Sequence, residues 1–206
     1  MATHSRNERV ASSAQVSESG LADVHEGLTK LHAKTDAFFT VVLTRHRLRM
    51  NCGMGCASCC HRMPSVFPVE AWMIAEGLRR APGPVAQRMA RRLVDHSHET
   101  EISPCPLLDD RGHCRVYADR PIICRSHGAP IKVPGQPADR WSVCPLNFAR
   151  PGMRSQVDSV DVLDVERLNE ILTVVDGLFQ QAYPNSQGLP LRMPLAAGIV
   201  HFLRSA

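Results

Sequence analysis

Outside residues 52–144 the chain has no cysteine, and lysine is scarce throughout, occurring only at Lys30, Lys34 and Lys132. The formal charge of +4 therefore comes almost entirely from arginine, a mild excess that gives little reason to expect nucleic acid as a partner. No apolar run approaches the roughly 20 residues that a bilayer core requires. The longest, Ala37 to Leu43 and Leu195 to Leu203, fit a buried helix instead. The first twenty residues are polar and hold no apolar h-region, so nothing in them marks the chain for an oxidising compartment, and a cytoplasmic location without membrane attachment is expected. No phosphate loop, glycine-rich strand-to-helix turn, paired carboxylates or Ser/His/Asp set stands out, so the sequence names no catalytic residue. Solenoid repeats and long heptad arrays are missing as well.

What the chain does have is eight cysteines in one window. Cys52, Cys56, Cys59 and Cys60 form a tight run, followed by Cys105, Cys114, Cys124 and Cys144. A local group of sulfurs backed by distant ones is the pattern of Cys-ligated zinc and iron–sulfur sites, and free core cysteines do not cluster at such spacing. All eight are candidate metal ligands.

The surrounding periodicity predicts a mainly α-helical fold, a single domain of about five helices around an irregular cysteine-rich centre with one short β-hairpin. Residues 1–20 read as a disordered lead, and 21–206 as the cysteine-cluster domain, with its metal-binding centre at 52–144. Leu21, Val24, Leu28, Leu31, Phe38 and Val42 recur at helical steps and predict one long amphipathic helix ending near Met50. Pro68 opens a second helix to Arg80, and a third fits Val85 to about His98. Further helices are expected over Asp158 to Ala182 and Pro194 to Arg204.

Between them, Ser103 to Arg150 is rich in proline and poor in helical period, so bound metal is a plausible source of its order. Within it, Cys105 to Cys114 reads as a hairpin whose turn, Asp109 to Gly112, uses Gly112 for a positive φ. Asp119-Arg120-Pro121 reads as a helix start that places Cys124 near its positive end. Gly53 and Gly55 let the first run bend and aim amides at sulfur. The adjacent Cys59 and Cys60 suit one tetrahedral ion poorly and suggest two centres or one multinuclear cluster. Arg62, Arg115, Arg120 and Arg125 lie close to cysteines in sequence, as expected if thiolates leave a centre negatively charged, with Arg120 and Arg125 the candidate cofactor-binding residues. His61, His113 and His127 are the neighbouring imidazoles.

The run Cys52-Gly-Met-Gly-Cys56-Ala-Ser-Cys59-Cys60, with Cys105-Pro-Leu-Leu and Cys114-Arg-Val-Tyr117-Ala-Asp-Arg120-Pro121-Ile-Ile-Cys124-Arg125, resembles the YkgJ-type cysteine-cluster family. That family is described as a zinc- or iron-chelating CxxCxxCC domain and is often labelled as carrying an iron–sulfur cluster. The resemblance covers roughly Cys52 to Cys144 and implies metal binding. One departure is that three residues separate Cys52 from Cys56, where the family's shorthand has two. The leading expectation is a metal-binding protein with a Cys-ligated iron–sulfur cluster, a redox or cluster-dependent role and a redox or protein partner. Its rivals are a zinc-stabilised structural or interaction module and a metal-handling protein.

Overall fold

The computed structural model describes residues 16–53, 55–97, 104–137, 140–154 and 157–205. The Ser17 hydroxyl accepts the Gly20 N–H at 3.2 Å and caps helix α1, Glu18–Arg45. Of the lead expected over residues 1–20, the first fifteen lie outside the described residues, and Glu18 to Gly20 already belong to α1. The helix buries Val24, Leu28, Leu31 and Val42 and stops five residues short of the expected Met50. Tertiary contacts end it: His46 turns its ring onto Asp161, with Nε2 2.9 Å from Oδ2, and packs edge-on against Phe148.

Strand β1, Ser65–Val66, follows the first cysteine run and leads into α2, Pro68–Arg80. Proline in the first turn lacks only an N–H that would have been unpaired. Every residue of α2 from Pro68 to Ala75 is buried, which makes it the central helix of the fold. α3, Gly83–His96, comes next; the expected end at His98 lies outside the described residues. The short α4, Ile122–Ser126, forms just past Pro121 and brings the number of α-helices among the described residues to six rather than five. β2, Ile131–Lys132, pairs antiparallel with β3, Trp141–Ser142.

Helix α5, Val165–Ala182, starts seven residues later than the periodicity suggests. The N-cap is Asp164, which accepts the Arg167 N–H at 3.1 Å, while Leu163 is held extended by its amide bond to the Pro130 carbonyl at 2.8 Å. β4, Met193–Pro194, pairs antiparallel with β1, and α6, Leu195–Arg204, closes the chain.

α1 lies along α5 and α4, and α2 is enclosed by α3, α5 and α6. The main core gathers Leu28 and Leu31 from α1, Trp72 and Ile74 from α2, Phe179 from α5 and Phe202 from α6. Leu107, Val116 and Ile122 of the cysteine-rich segment join it. A second, smaller core of Val42, Met50 and Phe148 sits under the end of α1. No helix among the described residues is long and apolar enough to cross a membrane.

One buried side chain links helical body and cysteine segment. Glu70, 2% exposed, accepts the Phe67 N–H at 3.1 Å and the Ile122 N–H at 2.7 Å, capping α2 and the start of α4 together. Burial holds its carboxyl above the usual range, and the two amide bonds oppose that shift. Glu70→Ala leaves two buried amides unsatisfied, and the expected loss is about 2 kcal/mol or more in urea denaturation. Glu70→Gln, with a single acceptor oxygen, should fall between the two; equal stability of Glu70→Ala and the parent would refute the linkage.

Candidate metal centre

Four irregular segments bring the thiols together. In the first, the Cys56 amide closes a turn on the Gly53 carbonyl at 3.1 Å, Gly55 adopts φ 84°, and Ser58–His61 form one turn of 3-10 helix. Met54 lies outside the described residues. The Cys105 N–H donates to the Cys60 carbonyl at 2.7 Å, pinning the second segment to the first.

The second segment is a tight turn in which Asp109 Oδ1 accepts the Arg111 and His113 amides at 2.9 and 2.8 Å, with Gly112 at φ 78°. The expected hairpin over Cys105 to Cys114 is present in short form: the Asp109 N–H donates to the His113 carbonyl and the Arg115 N–H to the Leu107 carbonyl, each at 2.9 Å, on either side of the antiparallel bridge between Leu108 and Cys114. The side chain of Asp109 takes the His113 amide that would have returned to the Asp109 carbonyl, and β2 and β3 form a second antiparallel pair in the cysteine-rich centre. The backbone N–H groups of Leu107 and Val116, each two residues past a cysteine, favour the Cys105 and Cys114 thiolates against the opposing effect of burial.

Cys124 sits in the middle of α4, facing the other thiols. The expected stabilisation by the helix end is outweighed: burial and the neighbouring Cys105 and Cys114 push the thiol up to about 12. Burial likewise pushes Cys105 up to about 11 and raises Cys114 and Cys52. The adjacent thiols act on each other in opposite senses, Cys60 raising Cys59 and Cys59 lowering Cys60. The raised thiols, Cys52, Cys59, Cys105, Cys114 and Cys124, hold their protons more tightly than a free cysteine, and a bound cation would have to displace them. All eight are free, and Cys56 is exposed.

Cys144 leads into a turn whose Asn147 N–H donates to the Cys144 carbonyl at 2.9 Å. The Asn147 side chain, 1% exposed, accepts the Asn51 N–H at 2.8 Å. Its amide nitrogen donates to the Gly128 carbonyl at 2.8 Å and to Cys52 Sγ at 3.2 Å. Gly128 adopts φ 104°, and a Cβ there would stand 2.5 Å from Cys52 Sγ. Cys52 thus rests in a cradle built from Asn147 and Gly128, two residues that reading for ligands does not single out. Their only sequence signal is position, three residues after Cys144 and four after Cys124.

Of the two arginines read as cofactor-binding, Arg120 bears on the thiols: its charge acts on Cys59, Cys114 and Cys124. It is held by the Tyr117 carbonyl at 3.0 Å and lies 3.5 Å over the Tyr117 ring. Arg125 is buried, and its donors go to the Arg120 carbonyl at 2.6 Å, the Ala118 carbonyl and the Asp36 carboxylate. Arg115 pairs with Asp109 at 3.4 Å. His61 Nδ1 meets the Ala57 carbonyl at 3.1 Å, His113 stands 3.7 Å from Asp109, and burial lowers His127. Among the described residues, no three His, Cys, Asp or Glu side chains gather tightly enough to hold one ion as they stand. The donor set itself, thiols that act on one another with the Asn147 amide bonded to one sulfur and the charge of Arg120 acting on three, suits a thiophilic metal group.

Residues 51–144 match the family model CxxCxxCC, described as "Putative zinc- or iron-chelating domain". The matched segment is the one that carries the cysteine motifs, and it is similar to that domain. No curated protein and no solved structure matches the chain.

Asn147→Ala removes the three side-chain bonds that hold Asn51, Cys52 and Gly128 and leaves buried groups unpaired. A loss of about 2 to 4 kcal/mol is expected in urea denaturation, together with reduced metal content by elemental analysis. Asn147→Asp keeps the acceptor for Asn51 but not the donor to sulfur, so it should recover part of the stability and little of the metal. Full metal content in both variants would refute the cradle.

Proposed function

We propose that this zinc- or iron-chelating domain holds an iron–sulfur cluster on its thiols and serves a redox or cluster-dependent role in the cytoplasm with a redox protein partner. The observation that carries this reading is the set of donors around the thiols. The Asn147 side-chain amide donates to Cys52 Sγ at 3.2 Å, and the charge of Arg120 acts on Cys59, Cys114 and Cys124. The thiols themselves lie near enough to act on one another, with Cys60 acted on by Cys59, Cys105, Cys114 and Cys124. More sulfurs than one tetrahedral ion can take, with the adjacent Cys59 and Cys60 among them, suit a multinuclear cluster.

The rest of the site supports the same reading. The Asn147 side-chain amide donates to Cys52 Sγ, the backbone N–H groups of Leu107 and Val116 favour the Cys105 and Cys114 thiolates, and Arg120 supplies positive charge. Such hydrogen bonds and charges stabilise thiolates and set the potential of a bound cluster. When bound, a cluster supplies one-electron transfer; the chain holds the sulfurs, neutralises part of their charge and shields one side of them with the main core. No pair of side chains in the site forms a general acid and base, so the reading assigns no catalytic residue.

The decisive measurement is an ultraviolet–visible spectrum with iron, zinc and acid-labile sulfide analysis on protein purified without oxygen. Broad absorbance near about 400 nm with iron and sulfide is expected. A colourless protein carrying zinc would overturn the cluster and make the segment a zinc-held structural module.

The two arginines separate in function. Arg120→Ala should keep the metal and lower the reduction potential, since a positive charge that favours the reduced state is lost. Arg125→Ala should lower thermal stability and leave the potential nearly unchanged, because its guanidinium is bonded to Asp36 and two carbonyls. Equal potentials in parent and Arg120→Ala would remove Arg120 from the site.

A further inference from the structure

We propose that the eight cysteines form two separate four-sulfur centres: Cys60, Cys105, Cys114 and Cys124 against the main core, and Cys52, Cys56, Cys59 and Cys144 beside the small core. The division rests on the metal-ligation reading above and goes beyond it in saying which thiols share a centre.

Backbone contacts sort the segments first. Cys60 and Cys105 are joined through the 2.7 Å bond from amide to carbonyl, and Cys114 lies in the same turn, paired with Leu108. Cys105 and Cys114 both pack against the main core. Cys124 follows Ile122, whose side chain is in that core and whose amide is fixed by Glu70. These four therefore stand on one rigid body.

The other group is tied to different structure. Cys52 packs against the small core of Val42, Met50 and Phe148. Cys144 adjoins it through Val143, which packs on the same core, and through Asn147, which binds the Cys144 carbonyl with its amide and Cys52 Sγ with its side chain. Cys56 is held in the Cys52 loop by its turn onto Gly53.

The thiols' electrostatic neighbours fall the same way. Cys52 is acted on by Cys56, Cys144 and Cys59, while Cys60 is acted on by Cys59, Cys105, Cys124 and Cys114. Cys59 is felt from both sides, acting on Cys52 as well as on Cys60, Cys105 and Cys124, and it adjoins Cys60 in the 3-10 turn Ser58–His61. Cys60, Cys105, Cys114 and Cys124 already make four, so Cys59 stands at the border and completes the second set.

The two centres differ in access. Cys105 and Cys124 are enclosed enough for burial to dominate their thiols. Cys56 is exposed, and an open cleft of about 420 Å³ lined by Leu43, Thr44, Arg47, Met50 and Asn51 reaches Cys52. The core-side centre is the one that orders the fold, and the cleft-side centre is the one open to solvent and exchange.

The test counts metal per chain, by elemental analysis and native mass spectrometry, in the anaerobically purified full chain and in Cys114→Ser, Cys144→Ser and their double variant. Each single variant is expected to keep about half of the parent's metal and the double variant almost none. Complete loss in Cys144→Ser, or a double variant no poorer than either single, would overturn the division while leaving metal ligation intact. A parent chain without metal would overturn both.

Because Cys114→Ser removes a core-side ligand and can unfold the chain, metal release from the parent protein to excess phenanthroline gives a second readout. Two phases of about equal amplitude are expected, with the fast phase absent from Cys144→Ser. A single phase, or an unchanged fast phase in that variant, would overturn the proposal.

Discussion

The cysteine-rich segment has little regular structure with which to orient itself, and the buried carboxylate of Glu70 supplies an anchor. One oxygen takes the amide of Phe67 at the head of α2 and the other takes the amide of Ile122 at the head of α4. Two helix starts that would each leave unpaired donors in the interior are satisfied by one side chain. The position of Cys124 relative to the main core follows from this. Through Ile122 and Val116 the segment also adds its own apolar residues to that core. Asp176, 1% exposed, reinforces the same helix start by accepting the Val69 amide at 2.9 Å. The central helix is thus held at its N-terminus by two buried carboxylates, each of whose oxygens accepts a hydrogen bond, which lets them remain buried.

A second constraint fixes the far side of the thiols. Phe148 has φ 52°, an unusual conformation for a bulky residue, and its amide bonds the Arg49 carbonyl at 2.7 Å. Its ring fills the small core against His46 and Trp141, and His46 with Arg45 is held by the buried Asp161. The surrounding contacts over-determine the strained backbone, a condition under which such residues persist. The consequence is the placement of Asn147, one residue earlier, under Cys52. The end of α1 and the loop before α5, joined through Asp161, thereby help to fix the turn that holds Asn147 against the Cys52 sulfur.

Much of this was legible in the sequence. The helices α1, α2, α5 and α6 follow from apolar periodicity and from proline at helix starts, and the eight thiols from their clustering. Where the sequence misleads, a distant group has won over local pattern. α1 ends at Arg45 because His46 finds Asp161, and α5 begins at Val165 because Leu163 bonds Pro130. The supporting residues of the site were illegible for the same reason. Asn147 reaches Cys52 across 95 positions, Glu70 reaches Ile122 across 52, and Arg125 reaches Asp36 across 89. An Asn, a Glu or an Asp at such a position carries no local mark of its partner. Arg120 and Arg125 look equivalent in the sequence, and only the fold separates one beside the thiols from one turned toward Asp36.

The two cores and the thiols between them define a physical problem that the fold must solve. Several sulfurs that are neutral in the metal-free chain must become thiolates together, and each ionisation makes the next harder because burial and mutual repulsion both oppose charge. Donors that favour individual thiolates ease the local part of this cost: Leu107 and Val116 serve Cys105 and Cys114, and Asn147 serves Cys52. Arg120 eases the collective part, its charge reaching Cys114 and Cys124 on the core side and Cys59 at the border. On the cleft side, solvent does the same work for the exposed Cys56. Buried thiols are thus backed by fixed donors and a fixed charge, and open ones by water. A metal centre on the first side would be held by the fold, while one on the second would be free to exchange with what the cleft admits.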